Sequence, residues 1–176
     1  PGTHATKGGY FTRGTTKNAY AMYSEAGPDY VYNVQRLLRK FETAKNLVPQ
    51  PIVHQSKQKT SFGVIYYGST SPAMQEALVS LEAQGIHVDA MRLQAFPFPE
   101  SVSEFIADHS QCFVIEQNRD AQLRSMIVNE LQVDPARVMP ILHFDGTPIT
   151  ARFITHEVAE QVRLMKVTPI KKGKVA

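Results

Sequence analysis

The sequence contains no tryptophan, one cysteine and no long apolar run among its 176 residues. A membrane-spanning helix needs about 20 consecutive apolar residues, and even a run of 18 is missing, so such a helix is excluded. Residues 1–18 are polar, glycine-rich and basic, unlike a secretory signal peptide. The single Cys112 excludes a disulfide framework, a four-cysteine zinc site and an iron–sulfur cluster ligated by this chain alone. We therefore expect a cytoplasmic protein.

The charge is unevenly distributed along the chain. Residues 1–60 hold nine Lys or Arg against three Asp or Glu, residues 61–155 hold five against eleven, and residues 156–176 hold five against two. An acidic middle between basic arms indicates that an arm binds the globular body or an acidic partner. Nucleic acid and membranes are not expected partners, because the basic residues lack interleaved aromatic residues and match no nucleic-acid motif.

Three segments follow from the pattern of apolar residues. Residues 1–60 are predicted as a loop to about residue 27, one amphipathic helix from Pro28, and a polar linker over 50–61. The helix carries an apolar stripe that should pack on the sheet domain or on a partner subunit. Residues 61–166 are predicted as an α/β domain. Residues 167–176 form a basic tail.

The α/β domain is predicted from a regular alternation of apolar strands and amphipathic helices. The predicted strands are 62–67, 86–93, 112–115 and 138–144, and helices are predicted after each of them. Ser101 and Glu104 have the spacing of a capping box, and Asn118 is a candidate helix cap. Pro140 indicates an edge strand or an early end of that strand. The order predicts a Rossmann-like parallel sheet with right-handed crossovers and helices on both faces.

The turn after the first predicted strand is a candidate anion site. Gly68, Ser69, Thr70 and Ser71 offer hydroxyls and backbone N–H groups before a helix, which suits a phosphate, sulfate or carboxylate. The alternative is a plain strand-to-helix turn with Ser71 as the cap. The sequence has neither a G-x-G-x-x-G nor a P-loop motif, so a dinucleotide dehydrogenase or a P-loop ATPase is not expected.

The polar run after the third predicted strand is the second candidate site. Glu116 is a potential acceptor and Arg119 a potential anion clamp at the ligand-bearing edge of the sheet. Alternatively, Asn118 caps a helix while Glu116 and Arg119 satisfy each other. The spacing of the histidines suggests no metal site, and Cys112 is expected to be a core residue rather than a nucleophile.

Several stretches of the chain resemble a known family. They are PGTHATKGGYFTRG, VQRLLRKFETA, GVIYYGSTSPA, RLQAFPFP, FVIEQNRDAQLR and LHFDGTPITARFI. Over residues 1–165 they are similar to the C-terminal part of the alpha subunit of 2-oxoacid:ferredoxin oxidoreductases, with the 2-oxoglutarate-type branch the nearest. The resemblance implies a transketolase C-terminal-like fold from about residue 60.

The resemblance also implies an activity that this chain does not perform alone. The family oxidatively decarboxylates a 2-oxoacid to an acyl-CoA and passes the electrons to ferredoxin, using thiamine diphosphate, magnesium, an iron–sulfur cluster and coenzyme A. The diphosphate-and-magnesium motif is absent here, and no catalytic or metal-binding residue of the family transfers to this chain. We expect a fragment that is inactive and binds no cofactor by itself.

The resemblance further implies a supporting role in a larger assembly. The partners would be the beta subunit and a second alpha subunit, with ferredoxin reached through the holoenzyme. Glu116, Asn118 and Arg119 would then lie at an interface or at the rim of the substrate and coenzyme A channel. The alternative is a stand-alone α/β module that binds a small molecule or an anion.

Overall fold

A computed structural model describes residues 14–167 of the chain, with side chains through residue 165. The chain divides between Ala44 and Lys45 into two compact units. The predicted basic tail from residue 168 onwards and the first 13 residues of the N-terminal loop lie outside the described residues. Among those that are described, no helix is both long and apolar enough to cross a membrane.

The second unit is built around a five-stranded sheet. Its elements are β1 (Ile52–His54), β2 (Phe62–Tyr67), α2 (Ser71–Ala83), β3 (Asp89–Leu93), α3 (Glu100–Asp108), β4 (Gln111–Glu116), α4 (Gln122–Leu131), β5 (Val138–Leu142) and α5 (Ala151–Val167). The strand order is β1-β3-β2-β4-β5, and the neighbours from β3 to β5 pair in parallel. The predicted α/β fold is confirmed. Pro140 lies in β5 at one edge of the sheet, where a missing N–H costs least.

Both faces of the sheet are covered by helices, and each face has its own apolar core. One core joins β-strand residues such as Val64 and Phe113 to α2 and α5. The other joins Ile65 and Val114 to α3 and α4. Because successive residues of a strand point to opposite faces, strands buried on both sides appear in the sequence as continuous apolar runs.

The structure differs from the sequence-based expectation at several element boundaries, since the predicted strands 86–93 and 138–144 are shorter, as Asp89–Leu93 and Val138–Leu142. Part of the predicted linker forms β1, which pairs antiparallel with β3 and extends the sheet by one edge strand. Helix α3 begins at Glu100 after Pro99 without a side-chain cap, so the predicted capping box of Ser101 is wrong. Helix α4 begins at Gln122, four residues after Asn118.

The first unit consists of a folded arm and one helix. In the arm, Lys17 and Tyr23 form an isolated antiparallel bridge, and Asn18 Oδ1 accepts backbone hydrogen bonds from Tyr20 and Met22. Helix α1 (Gly27–Ala44) follows, and the Asn33 side chain donates to the Lys17 carbonyl at 2.7 Å. No residue of α1 is buried, so its predicted apolar stripe is exposed.

A substitution at Gly63 tests the packing between β2 and β4. A Cβ at this position would lie 2.8 Å from Phe105 Cε1 and 2.9 Å from Cys112 Sγ. We expect Gly63→Ala to lower the free energy of unfolding by about 1–3 kcal/mol, because a tightly packed core must shift to admit a methyl group. Urea denaturation followed by circular dichroism measures the change.

Gly27→Ala is the matched control, since a Cβ there would meet no atom within 4 Å. Its expected effect is within about 0.5 kcal/mol. Equal stability of Gly63→Ala and wild type would contradict the packing described for this strand pair.

Candidate functional site

The order of the strands defines where a ligand would be expected. The chain runs from β2 outwards to β3, and then returns to the other side of β2 with β4 and β5. The crevice at this reversal lies between the carboxyl ends of β2 and β4, the usual ligand position in open α/β sheets. Both candidate sites predicted from the sequence lie there, after β2 and after β4.

The turn after β2 is held by contacts within the chain. Gly68 opens a short 3₁₀ turn with a positive φ of 59°, and both Thr70 and Ser71 are buried. Gln117 Nε2 donates to Ser69 Oγ at 3.0 Å and lies 3.3 Å from Thr70 Oγ1. Both hydroxyl oxygens act as acceptors in these contacts, so their O–H groups stay available as donors. Anion binding at this turn remains a prediction.

Gln117 connects three loops at the reversal point. Besides its contacts to the turn after β2, its Oε1 accepts a hydrogen bond from the backbone N–H of Ile149 at 3.3 Å, in the loop before α5. The exposed carboxamide therefore bridges the loops around the crevice between β2 and β4, with both its donor and its acceptor engaged. Sequence reasoning named the polar run but did not select Gln117 within it. The only available signal was its position directly after a buried strand.

Glu116 is fully buried and accepts hydrogen bonds from backbone N–H groups at the beginning of α4. Its Oε2 accepts from the backbone N–H of Leu123 at 2.7 Å and from Asn118 Nδ2 at 2.8 Å, while its Oε1 accepts from the N–H of Arg124 at 2.9 Å. The first N–H groups of a helix have no partner within the helix, and a negative charge there is favoured by the helix dipole. The carboxylate therefore satisfies groups that would otherwise be buried without partners.

Asn118 and Arg119 lie at the surface of the same loop. Asn118 Oδ1 accepts from the backbone N–H groups of Asp120 at 3.0 Å and Gln122 at 3.3 Å. Arg119 is exposed, and its Nε is 2.7 Å from Asp120 Oδ1. The alternative in which Arg119 pairs with Glu116 is therefore not what the structure shows. An interface or rim role for Asn118 and Arg119 remains a prediction.

Cys112 and Asp145 are titratable residues elsewhere in the domain whose pKa values are shifted. Burial raises the pKa of the Cys112 thiol to about 12, so the thiol stays protonated at neutral pH. Hydrogen bonds from the Thr147 N–H and hydroxyl lower the pKa of Asp145, whose Oδ1 is 3.5 Å from His143 Nε2. In residues 14–165 no three His, Cys, Asp or Glu side chains are grouped as metal ligands.

Comparison with known proteins first defines the class of fold. No family model and no curated protein sequence matches the chain. A split-gene transketolase, solved as an inactive beta4 tetramer, is similar with a TM-score of 0.51 and 20% identity, over 65% of this chain and 42% of that chain. The second unit thus has an α/β fold of the transketolase C-terminal type.

A second solved structure is similar over almost the whole chain. It is the 2-oxoglutarate:ferredoxin oxidoreductase from Magnetococcus marinus with 2-oxoglutarate, coenzyme A and succinyl-CoA bound, with a TM-score of 0.77 and 22% identity. The similarity covers 92% of this chain and 28% of that chain. The resemblance found in the sequence is thereby confirmed in the structure. The chain spans less than half the length of either protein.

Replacing the Glu116 carboxylate tests its contribution to α4. Glu116→Gln keeps the size of the side chain, but its NH₂ group cannot accept from a helix N–H. We expect the free energy of unfolding to fall by about 1–3 kcal/mol, because a buried donor loses a charged acceptor. Chemical denaturation measures this. Glu130→Gln, at an exposed position of the same helix, is the control and is expected to change stability by less than about 0.5 kcal/mol.

Replacing Gln117 tests the link between the three loops. Gln117→Leu removes the acceptor of the Ile149 N–H, and we expect faster hydrogen exchange at that amide. The N–H of Ile154 in α5 donates to the carbonyl of Thr150, the residue before the helix. It provides the internal control and should keep its protection. Unchanged exchange at Ile149 would show that Gln117 does not hold this loop.

Proposed function

We propose that the chain is the C-terminal domain of the alpha subunit of a 2-oxoacid:ferredoxin oxidoreductase, with 2-oxoglutarate as the favoured substrate. The observation that carries the proposal is the structural similarity at a TM-score of 0.77 over 92% of the chain. The motifs FVIEQNRDAQLR and LHFDGTPITARFI support it through their own resemblance to the family. The first covers the end of β4 and the polar loop after it, and the second runs from the end of β5 into α5.

The catalytic chemistry of this enzyme would be performed outside the described residues. Thiamine diphosphate would stabilise the carbanion left by decarboxylation, and an iron–sulfur cluster would carry the electrons towards ferredoxin. The described residues do not fit thiamine diphosphate with its magnesium. Residues 14–165 hold no group of three acidic, histidine or cysteine side chains that could bind the metal ion.

The role of the chain would be to hold subunits together and to shape the rim of the substrate and coenzyme A channel. Helix α1 supports this role, since a set of exposed apolar side chains on one helix is typical of a protein interface. Its exposed apolar side chains are Tyr30, Val31, Tyr32, Val34, Leu37, Leu38 and Phe41. The beta subunit and a second alpha subunit are the proposed partners, and the exposed Arg119 is a further candidate contact. A cytoplasmic location remains part of the proposal.

The alternative, a stand-alone anion-binding module, is less well supported. It requires the turn at Gly68–Thr70 and the loop after β4 to receive a ligand together. The exposed Gln117 carboxamide already hydrogen-bonds to both neighbouring loops. A ligand that took the place of this carboxamide would break these contacts.

Purification of the chain from its native cell tests the proposal. A tagged chain should co-purify with an activity that reduces ferredoxin only when both 2-oxoglutarate and coenzyme A are supplied. Leu38→Glu, at a position of α1 that is 62% exposed, should reduce the co-purifying activity about tenfold or more, because a charge is then buried at the interface.

Leu164→Glu on α5, at a position that is 58% exposed, is the matched control and should retain the activity. Absence of any 2-oxoacid-dependent activity from the wild-type preparation would contradict the proposed function. An equal loss in both variants would contradict only the assignment of α1 to the interface.

A further inference from the structure

A cavity of about 360 Å³ opens at the carboxyl ends of β2 and β3, on the side of the sheet that α3 and α4 cover. Tyr67 and Leu93, the last residues of the two strands, contribute to its wall. Gln122 and Met126 contribute from the first two turns of α4. The cavity lies beside the crevice between β2 and β4, at the edge of the sheet where α/β folds bind ligands. Its volume is within the range of small-molecule sites.

The wall of the cavity is aromatic and uncharged. Tyr67, Phe96 and Met126 are each between 38% and 40% exposed, so a ligand would remove apolar surface from water. The Phe96 and Phe98 rings lie edge to face with their centroids 5.2 Å apart, and Phe98 is buried. Aromatic rings and a thioether favour contact with another flat ring. None of the described residues that line the cavity carries a charge, which disfavours an ionised ligand group inside it.

Two carboxamides give the cavity its polar groups. Gln94 Nε2 donates to the Gln50 carbonyl at 2.6 Å, and this hydrogen bond holds the side chain in place. The backbone N–H of Gln122 binds Asn118, while its carboxamide makes no hydrogen bond to any of residues 14–165. A glutamine carboxamide can donate and accept at once, as the N6 and N7 edge of adenine requires.

We propose that this cavity binds the uncharged base of a purine nucleoside. The base contacts the Tyr67 and Phe96 rings and the Met126 thioether, and the Gln122 carboxamide reads its hydrogen-bonding edge. The sugar and any charged group of a larger ligand remain outside, in solvent. This inference rests on the cavity and does not depend on the proposed function.

Titration of the full 176-residue chain with adenosine tests the proposal, using calorimetry or NMR chemical shifts. We expect saturable binding, and Met126→Glu should weaken it about tenfold or more, because a carboxylate then lines the apolar wall. Val79→Glu, at a 69% exposed position of α2 on the opposite side of the sheet, is the control and should bind as wild type does. No saturation up to about 5 mM adenosine, or equal binding by Met126→Glu, would overturn the proposal.

A second variant separates recognition of a base from unspecific apolar capture. Gln122→Leu keeps the size of the side chain and removes the donor and acceptor. Binding of adenosine should weaken about tenfold, whereas binding of indole, which lacks the purine edge, should be unchanged. If Gln122→Leu binds adenosine as tightly as wild type, the carboxamide does not read a base and the proposal is wrong.

Discussion

The buried carboxylate of Glu116 is the interaction on which the arrangement of the sheet edge depends. It is the last residue of β4, a strand buried on both faces, and it lies beside the N-terminus of α4. An unpaired charge in such a position would be strongly unfavourable, and so would the unpaired N–H groups of the helix. Each satisfies the other, because two backbone N–H groups and the Asn118 amide donate to the carboxylate.

The neighbouring Gln117 connects the end of β4 to two other loops at the same edge of the sheet. The carboxylate of Glu116 holds the residues that follow β4 in place. From there the Gln117 side chain makes hydrogen bonds to the turn after β2 and to the loop before α5. The place where related folds accept a ligand is thereby bridged by an exposed side chain of the domain itself. This is the physical basis for proposing a supporting role for the chain rather than a catalytic one.

Much of the fold could be predicted from the sequence, and the reason is physical. Parallel strands that are buried on both faces need continuous apolar runs, and Phe62–Tyr67 and Gln111–Glu116 largely show them. The edge position of Pro140 followed from its missing N–H. Strand β1 was not predictable, because it has three residues and is held by pairing with β3, about 40 residues away.

The roles of the site residues could not be predicted, for a related reason. The beginning of α4 follows Ala121, which adopts a left-handed conformation with a φ of 51° and provides no capping side chain. Neither the delayed start of the helix nor its acceptor, Glu116, leaves a local signal in the sequence. Gln117 is likewise defined by a partner 48 residues away, Ser69, which only the folded sheet brings close.

The central claim is that Gln117 bridges the loops at the crevice between β2 and β4 and that an anion does not replace it there. Titration of the isotopically labelled chain with pyrophosphate tests this most directly, with the Gln117 side-chain amide and the Ser69 and Thr70 backbone amides as reporters. The account predicts no saturable shift of these signals. A saturable shift at all three positions would show that an anion displaces Gln117 and would contradict the account.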